Sequence, residues 1–414
     1  MKHEAQVSIL KELMSQLDEG RNVDAGVMYR NPTSVYNDTE LAERERETFF
    51  RDHPQLIALS GSLPGPGSYM TVDDFGVPVL ATRDRDGKFR AFVNACRHRG
   101  ARLAEGRGEQ NRFVCPFHNW TYASDGALKT IPKHEHVGAI DKRCNGLVEL
   151  PAEERGGLLW VHPRKDGVID LDTQLAGLDE EIASWDFGEL RQHGETVIEG
   201  DLNWKLANDT FGETYHFERL HRETLGQINY GDALAYEEFG RNHRFVIAAR
   251  RIAALREMPE SEWRLVDGTT PLYYLFPNIQ LNWFSGVASL VKIYPDPKEP
   301  GKSVTRVLHY FSQEMIDKAS AADTHVLTAE NTYDREGAEG SEDFALTLSS
   351  LMEVFDSTVE QEDYLMGKHQ QAASESGELE HLIFGRNEPA LHHYHNHFRD
   401  ALGMPPLEKI EPAE

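Results

Sequence analysis

Asn94-Ala95-Cys96-Arg97-His98-Arg99-Gly100, followed by Cys115-Pro116-Phe117-His118-Asn119-Trp120-Thr121-Tyr122, is the stretch on which the reading of this chain turns. It holds Cys-x-His, then 16 residues, then Cys-x-x-His. Both pairs follow apolar β pieces, Phe92-Val93 and Phe113-Val114, so the four side chains are expected at two adjacent loop tips. Two thiolates and two imidazoles close four coordination positions. A tetrahedral zinc ion takes that set. So does a [2Fe–2S] cluster in which both thiolates hold one iron and both imidazoles hold the other, raising its potential. Common zinc spacings keep like ligands together, whereas here each half supplies one of each kind. The spacing favours iron–sulfur and leaves zinc as the alternative.

Outward from these loops the texture is that of a small antiparallel β domain. Pro64-Gly65-Pro66-Gly67, Val77-Pro78-Val79-Leu80, Asp86-Gly87 and Phe89 to Val93 alternate apolar pieces with turns, and Gly157-Leu158-Leu159-Trp160-Val161 is a last apolar strand. Upstream, residues 1–50 read as helical, with the charged run Glu40 to Glu47 as a solvated face. Downstream, helices mix with longer strands. Leu272 to Phe276, Ile279 to Phe284 and Val287 to Tyr294 form an expected meander with a tight turn at Ser285-Gly286, and Val304 to Phe311 adds a strand. From Phe344 to Gln371, apolar residues at Leu346, Leu348, Leu351, Met352, Phe355, Val359 and Leu365 suit one long amphipathic helix.

The 414 residues exceed one small core and fit two packed domains. A formal net charge of -26 repels nucleic acid and anionic membrane, and suits a soluble partner with a basic docking face. No apolar run approaches the roughly 18 residues of a membrane span, and Met1 to Gly20 has no signal-peptide core, so a cytoplasmic location is expected. Three cysteines in a reducing compartment read as metal ligands rather than a disulfide framework.

A second constellation lies in Asn203-Trp204-Lys205-Leu206-Ala207-Asn208-Asp209-Thr210-Phe211-Gly212-Glu213-Thr214-Tyr215-His216-Phe217-Glu218-Arg219-Leu220-His221. Five residues of regular helix turn through roughly 500°, so the rings of His216 and His221 would diverge by about 140°. Either the helix is locally distorted or a metal sits where both rings reach around its edge.

The residues around both constellations resemble the Rieske non-haem iron oxygenases, catalytic (alpha) subunits of the aromatic-ring-hydroxylating dioxygenase superfamily. The two cysteine–histidine loops, with Asp125-Gly126 as the turn after them, carry the first half of the resemblance. The segment opening on Asn-Trp-Lys carries the second. The resemblance runs from about Glu47 to about His397. It implies an α+β protein: an all-β Rieske [2Fe–2S] domain packed on a helix-grip-like catalytic domain of antiparallel sheet plus helices. The implied division is an N-terminal helical segment at 1–50, the Rieske domain at 51–165 and the mononuclear iron domain at 166–414.

By the same resemblance, Cys96 and Cys115 bind one cluster iron, and His98 and His118 the other. Fe(II) is held by a facial triad of His216, His221 and a later carboxylate, which leaves positions open for O2. Gln361-Glu362-Asp363 places that carboxylate at Asp363, with Asp356, Glu360 and Glu362 on the same expected helix as alternatives. Glu213 stands where the family usually has Asp. It is implied to join His216 to His118 of a neighbouring subunit, and so to carry electrons between centres. The implied partners are a flavin- and iron–sulfur-containing reductase, possibly acting via a ferredoxin, together with O2, a small organic substrate and two further copies in a homotrimer. The implied reaction is hydroxylation of an aromatic or other small hydrophobic molecule. Oxidative demethylation or C–N cleavage of a carnitine- or betaine-like quaternary amine by the same chemistry is the alternative.

Other clusters are read as structural. In His392-His393-Tyr394-His395-Asn396-His397, three alternating histidines would share a face on a strand. His134 and His136 are expected in solvent, and Cys144 is an ordinary small residue. Tyr274, Trp283 and Phe284 read as core, with a pocket lining as the other possibility.

Overall fold

The computed structural model describes residues 1–284, 286–322 and 347–411. Ser285 of the expected turn, and Phe344 and Leu346 of the expected helix, lie outside them. The chain divides into two compact units. One comprises Glu45–Leu171 with Asp186–Arg191; the other comprises Met1–Arg44, Asp172–Trp185 and Gln192–Glu414. No helix among the described residues is long and apolar enough to cross a membrane.

The smaller unit is built of short antiparallel strands. A five-stranded sheet runs in the order Glu149–Leu150, Phe89–Val93, Val79–Arg83, Ser68–Val72, Arg107–Glu109. Burial alternates along Ser68–Val72, as the two-residue period of a half-buried strand requires. Arg112–Val114, Thr121–Ala123 and Leu128–Thr130 form a three-stranded sheet beside it in sequence. Gly126 closes the turn of its second hairpin with φ 80°, and a Cβ there would meet the Phe92 ring at 2.4 Å, so only glycine fits. Leu80, Phe92, Phe113, Trp120, Tyr122 and Leu128 bury one another together with Cys96 and Cys115.

The larger unit is organised by a seven-stranded sheet. Its order is Arg191–Gly200, Ser303–Phe311, Val287–Pro295, Ile279–Phe284, Thr269–Leu275, Asn242–Ala249, Asn229–Phe239. Residues directly opposite on antiparallel strands share a face. Two such rows are His243–Tyr274–Gln280–Val291–Val307 and Phe245–Leu272–Asn282–Ser289–His309. Gln280 Nε2 donates to Asn208 Oδ1 (3.0 Å) and to the Tyr394 hydroxyl (3.1 Å), and His309 Nε2 donates to Asp356 Oδ1 (2.9 Å). The helices Trp204–Asp209, Leu348–Thr358 and Pro389–Ala401 therefore cover this face. The opposite face carries Val246 and Ala248 against Leu10 and Leu13 of the helix His3–Glu19. Tyr274 is fully buried, Trp283 lies on the face opposite Asn282, and Phe284 is half-buried.

Three expectations are corrected. The first 50 residues are not uniformly helical: Met28–Pro32 is a strand between His381–Phe384 and Glu408–Ile410. Its partners lie more than 300 residues away, beyond any local pattern. Glu45, in the charged run read as solvated, is buried. The long helix is interrupted: Leu348–Thr358 leads into a π turn, Val359–Asp363, before Tyr364–Glu375. The wider turn rotates the helix beyond it, so Tyr364 is buried and Leu365 is exposed.

The histidine tract forms the helix Pro389–Ala401, not a strand, and Pro389 suits its first turn. His393 Nε2 donates to Gly240 O (2.9 Å), so its Nδ1 accepts from His243 Nδ1 (3.1 Å). Burial lowers His393 to about 4 and also lowers His243 and His397. These groups are neutral in the fold, whereas in the unfolded chain they titrate near 6.5. Stability that His393 contributes is present above about pH 6.5 and is lost as pH falls from there towards about 4, by at most ~1.4 kcal/mol per pH unit, and His243 and His397 act in the same direction. Urea midpoints between pH 7.5 and pH 5 should fall accordingly, and His393→Gln should flatten that slope. An unchanged slope in this variant would contradict the assignment.

Candidate functional site

The smaller unit presents the first group. Cys96 N donates to Ala101 O (2.8 Å) and Gly100 N to Cys96 O (2.8 Å); Cys115 N donates to Trp120 O (2.8 Å) and Asn119 N to Cys115 O (2.9 Å). The two loops are thus folded alike. Each uses a left-handed residue four positions after its cysteine, Gly100 at φ 74° and Asn119 at φ 58°. Both thiols are buried and both imidazoles exposed. His98 Nδ1 and His118 Nδ1 lie 3.2 Å apart, and the His98 ring stacks on Trp120 at 5.0 Å. The Tyr122 hydroxyl accepts from Arg97 N (3.0 Å), which leaves its proton for Cys96 Sγ at 3.4 Å. Burial raises the Tyr122 pKa and keeps it a donor. Buried sulfurs with two convergent imidazole nitrogens at the surface fit a [2Fe–2S] cluster with mixed ligands. His134 and His136 are exposed beside Glu135 (3.4 and 3.6 Å), and Cys144 is exposed.

The larger unit presents the second group. Asn203 caps the helix Trp204–Asp209, its side chain accepting from Lys205 N (2.9 Å). The helix stops there, and this corrects the expectation that His216 and His221 sit on it. Gly212 N turns back to Asp209 O (2.9 Å), and a Cβ on Gly212 would come within 2.6 Å of Leu391 and 2.9 Å of Tyr394. The chain then runs through turns, with Leu220 N donating to His216 O (2.7 Å) and Thr224 N to His221 O (3.0 Å). The angular divergence of a regular helix no longer applies. Asp209 is held by His395 Nε2 (2.9 Å) and by the Tyr36 hydroxyl (2.9 Å). The negative end of a helix disfavours an acid. These two donors offset that and anchor the point from which the turns depart.

His216 Nε2 and His221 Nε2 lie 3.0 Å apart, and Asp363 Oδ1 lies 3.4 and 3.1 Å from them. Such edges describe one face of an octahedron with bonds of ~2.1–2.4 Å, the arrangement of a facial triad. The outer nitrogens are engaged elsewhere. His216 Nδ1 donates to Glu213, whose other oxygen accepts from His216 N (3.2 Å). His221 Nδ1 donates to Glu362 Oε2 (2.6 Å), which also accepts from Thr224 Oγ1 (2.9 Å). Both Nε2 atoms are therefore the ones that converge on Asp363. Burial opposes charge on Asp363 and His216. The facing partners outweigh it, holding the Asp363 carboxyl below its ordinary range and lifting His216 to about 10. The residues present fit a divalent metal.

Among the alternative acids, Asp356 binds His309 and the Thr196 hydroxyl (2.6 Å), Glu362 faces the outer nitrogen of His221, and Glu360 is exposed. Of these four carboxylates, only Asp363 reaches both Nε2 atoms. Sequence reasoning missed the tasks of Glu362, Thr224 and Tyr122. The tandem acid Glu362-Asp363 was the available signal for the first.

Residues 187–404 match the catalytic-domain model of ring-hydroxylating alpha subunits, and residues 53–142 match the Rieske [2Fe–2S] domain model. The chain is 30% identical over 211 residues to the carnitine monooxygenase oxygenase subunit of Acinetobacter baumannii, covering 50% of this chain and 57% of that protein. It is 32% identical over 204 residues to the glycine betaine monooxygenase oxygenase subunit of Chromohalobacter salexigens, covering 49% and 45%. The chain spans about half the length of the curated relatives it matches. The fold is similar to that of naphthalene 1,2-dioxygenase from Rhodococcus sp. bound to indole, with TM-score 0.68, 17% identity and coverage of 97% and 98%.

Proposed function

Because the chain belongs to the family of ring-hydroxylating alpha subunits with a Rieske [2Fe–2S] domain, we propose that it is the oxygenase component of a reductase-fed system that oxidises a small organic molecule with O2. The observation that carries this reading is the convergence of His216 Nε2, His221 Nε2 and Asp363 Oδ1 within 3.0–3.4 Å of one another. In this reading Cys96, Cys115, His98 and His118 hold the cluster, and His216, His221 and Asp363 hold iron(II). When bound, the cluster supplies single electrons and the iron supplies O2 activation.

The chain's own residues do the rest. Three ligands on one face leave the opposite face for O2 and substrate. Glu213 keeps the proton of His216 on Nδ1, so that Nε2 is the coordinating atom. In a trimer, the same carboxylate would meet His118 of the partner subunit and complete the path for electrons. A reductase docks to deliver them, directly or through a ferredoxin.

Hydroxylation of an aromatic or other small hydrophobic molecule is the first reading of the reaction. Similarity to the carnitine and glycine betaine monooxygenases favours a second, the oxidation of a quaternary amine with cleavage next to nitrogen. The test is metal and sulfide content, followed by O2-dependent turnover. About three irons for two acid-labile sulfides per chain, with reductant-dependent O2 uptake on an arene or a quaternary amine, is the expected result. Two irons for two sulfides, or zinc with no sulfide, would contradict it. Product analysis separates the two substrate readings.

A further inference from the structure

We infer that Glu362 is a positioning residue for the metal centre: with Thr224 it fixes the His221 ring so that Nε2 is the nitrogen offered to the metal. The inference rests on His216, His221 and Asp363 being the ligands. Glu362 and Asp363 are consecutive residues of the π turn Val359–Asp363, and they grip opposite edges of one imidazole. Glu362 Oε2 accepts from His221 Nδ1 at 2.6 Å, while Asp363 Oδ1 lies 3.1 Å from Nε2. Consecutive residues of this π turn project in different directions, so a ring standing edge-on between them meets both carboxylates. The ring is buried and has little room to turn.

Thr224 completes the clamp from the other side. Its hydroxyl donates to Glu362 Oε2 at 2.9 Å, and its backbone N–H donates to His221 O at 3.0 Å. The donor that holds the carboxylate therefore comes from the turn that His221 itself begins. This makes the two imidazoles unlike. His216 is oriented by Glu213, three residues away on the same turn. His221 is oriented across 141 residues, by the segment that carries the third ligand. Glu362 thus ties the histidine-bearing turns to the carboxylate-bearing helix, as well as setting the tautomer and basicity of one ring.

The experiment is calorimetric titration of Co(II) into protein stripped of its mononuclear metal, for wild type, Glu362→Ala, Glu362→Gln and Thr224→Val. The cluster's visible spectrum and the thermal midpoint report whether each variant is folded. Glu362→Ala should raise the Co(II) Kd by ~10–100-fold with the cluster spectrum unchanged. Glu362→Gln keeps an acceptor for Nδ1–H but loses the charge, so its Kd should lie between wild type and Glu362→Ala. Thr224→Val should give a smaller rise than Glu362→Ala. Wild-type affinity in Glu362→Gln and in a folded Glu362→Ala would overturn the assignment; should the alanine variant not fold, wild-type affinity in the glutamine variant alone would do so. If His216→Ala binds Co(II) as tightly as wild type, the triad reading itself fails, and the role of Glu362 with it.

Discussion

His216→Ala, His221→Ala and Asp363→Ala are each expected to abolish turnover and mononuclear iron binding while leaving the cluster's visible spectrum intact. Each removes one of three donor atoms whose edges measure 3.0, 3.1 and 3.4 Å. Among the described residues, this is the single group of three or more histidine, cysteine or acidic side chains whose ligand atoms converge closely enough to hold an ion. Loss of an outer partner costs ~10–100-fold in metal affinity, and loss of a ligand from an open three-donor site must cost more. The cluster should survive because its four side chains belong to the other compact unit, whose loops are held by their own hydrogen bonds. Iron assays and cluster absorption on the same samples check both halves of the expectation. The informative control is Glu362→Ala beside Asp363→Ala. If the first loses iron outright while the second keeps iron and activity, the carboxylate ligand has been misassigned.

The second large effect is expected at Glu213. Its carboxylate accepts from both the ring and the backbone of His216, and it binds no metal in the proposed arrangement. Glu213→Gln preserves length and polarity but removes the charge, and with it the stronger charge-assisted hydrogen bonds to imidazole. Both metals should stay bound and the cluster should remain reducible. Electron delivery from cluster to iron should slow by orders of magnitude if, as proposed, the path between centres runs through this carboxylate to His118 of the partner subunit. Single-turnover oxidation of a pre-reduced cluster, with substrate and O2 present, measures this directly. Reoxidation at the wild-type rate in Glu213→Gln would remove the bridge from the pathway. Glu213→Asp tests length alone and should retain part of the rate if the subunit interface closes by about one bond.

The cysteine–histidine loops were legible in the sequence because their ligands are close along the chain and their loop chemistry is local: a left-handed residue follows each cysteine at the same interval. The strands from Thr269 to Phe311 were legible because runs of apolar, aromatic and β-branched residues bounded by turn residues are a local signal. The helix expected to carry His216 and His221 was misread because what ends it is not local. Gly212 must pass close to Leu391 and Tyr394, and Asp209 must meet Tyr36 and His395. Those contacts come from opposite ends of the chain.

The sequence by itself determined which residues could bind metal, that the chain would form an antiparallel α+β protein, and which family it resembles. Those properties reside in residue identity, short spacing and period. Only the tertiary structure decided which nitrogens of His216 and His221 converge, which of four nearby acids meets them, and that a π turn sets consecutive carboxylates on opposite edges of the His221 ring. The physical reason is that a ligand set is a meeting of side chains separated by more than 140 positions. Its geometry is fixed by packing against the sheet, through Thr305 to Tyr364 (2.5 Å) and His309 to Asp356 (2.9 Å), and no local pattern encodes the register of that packing.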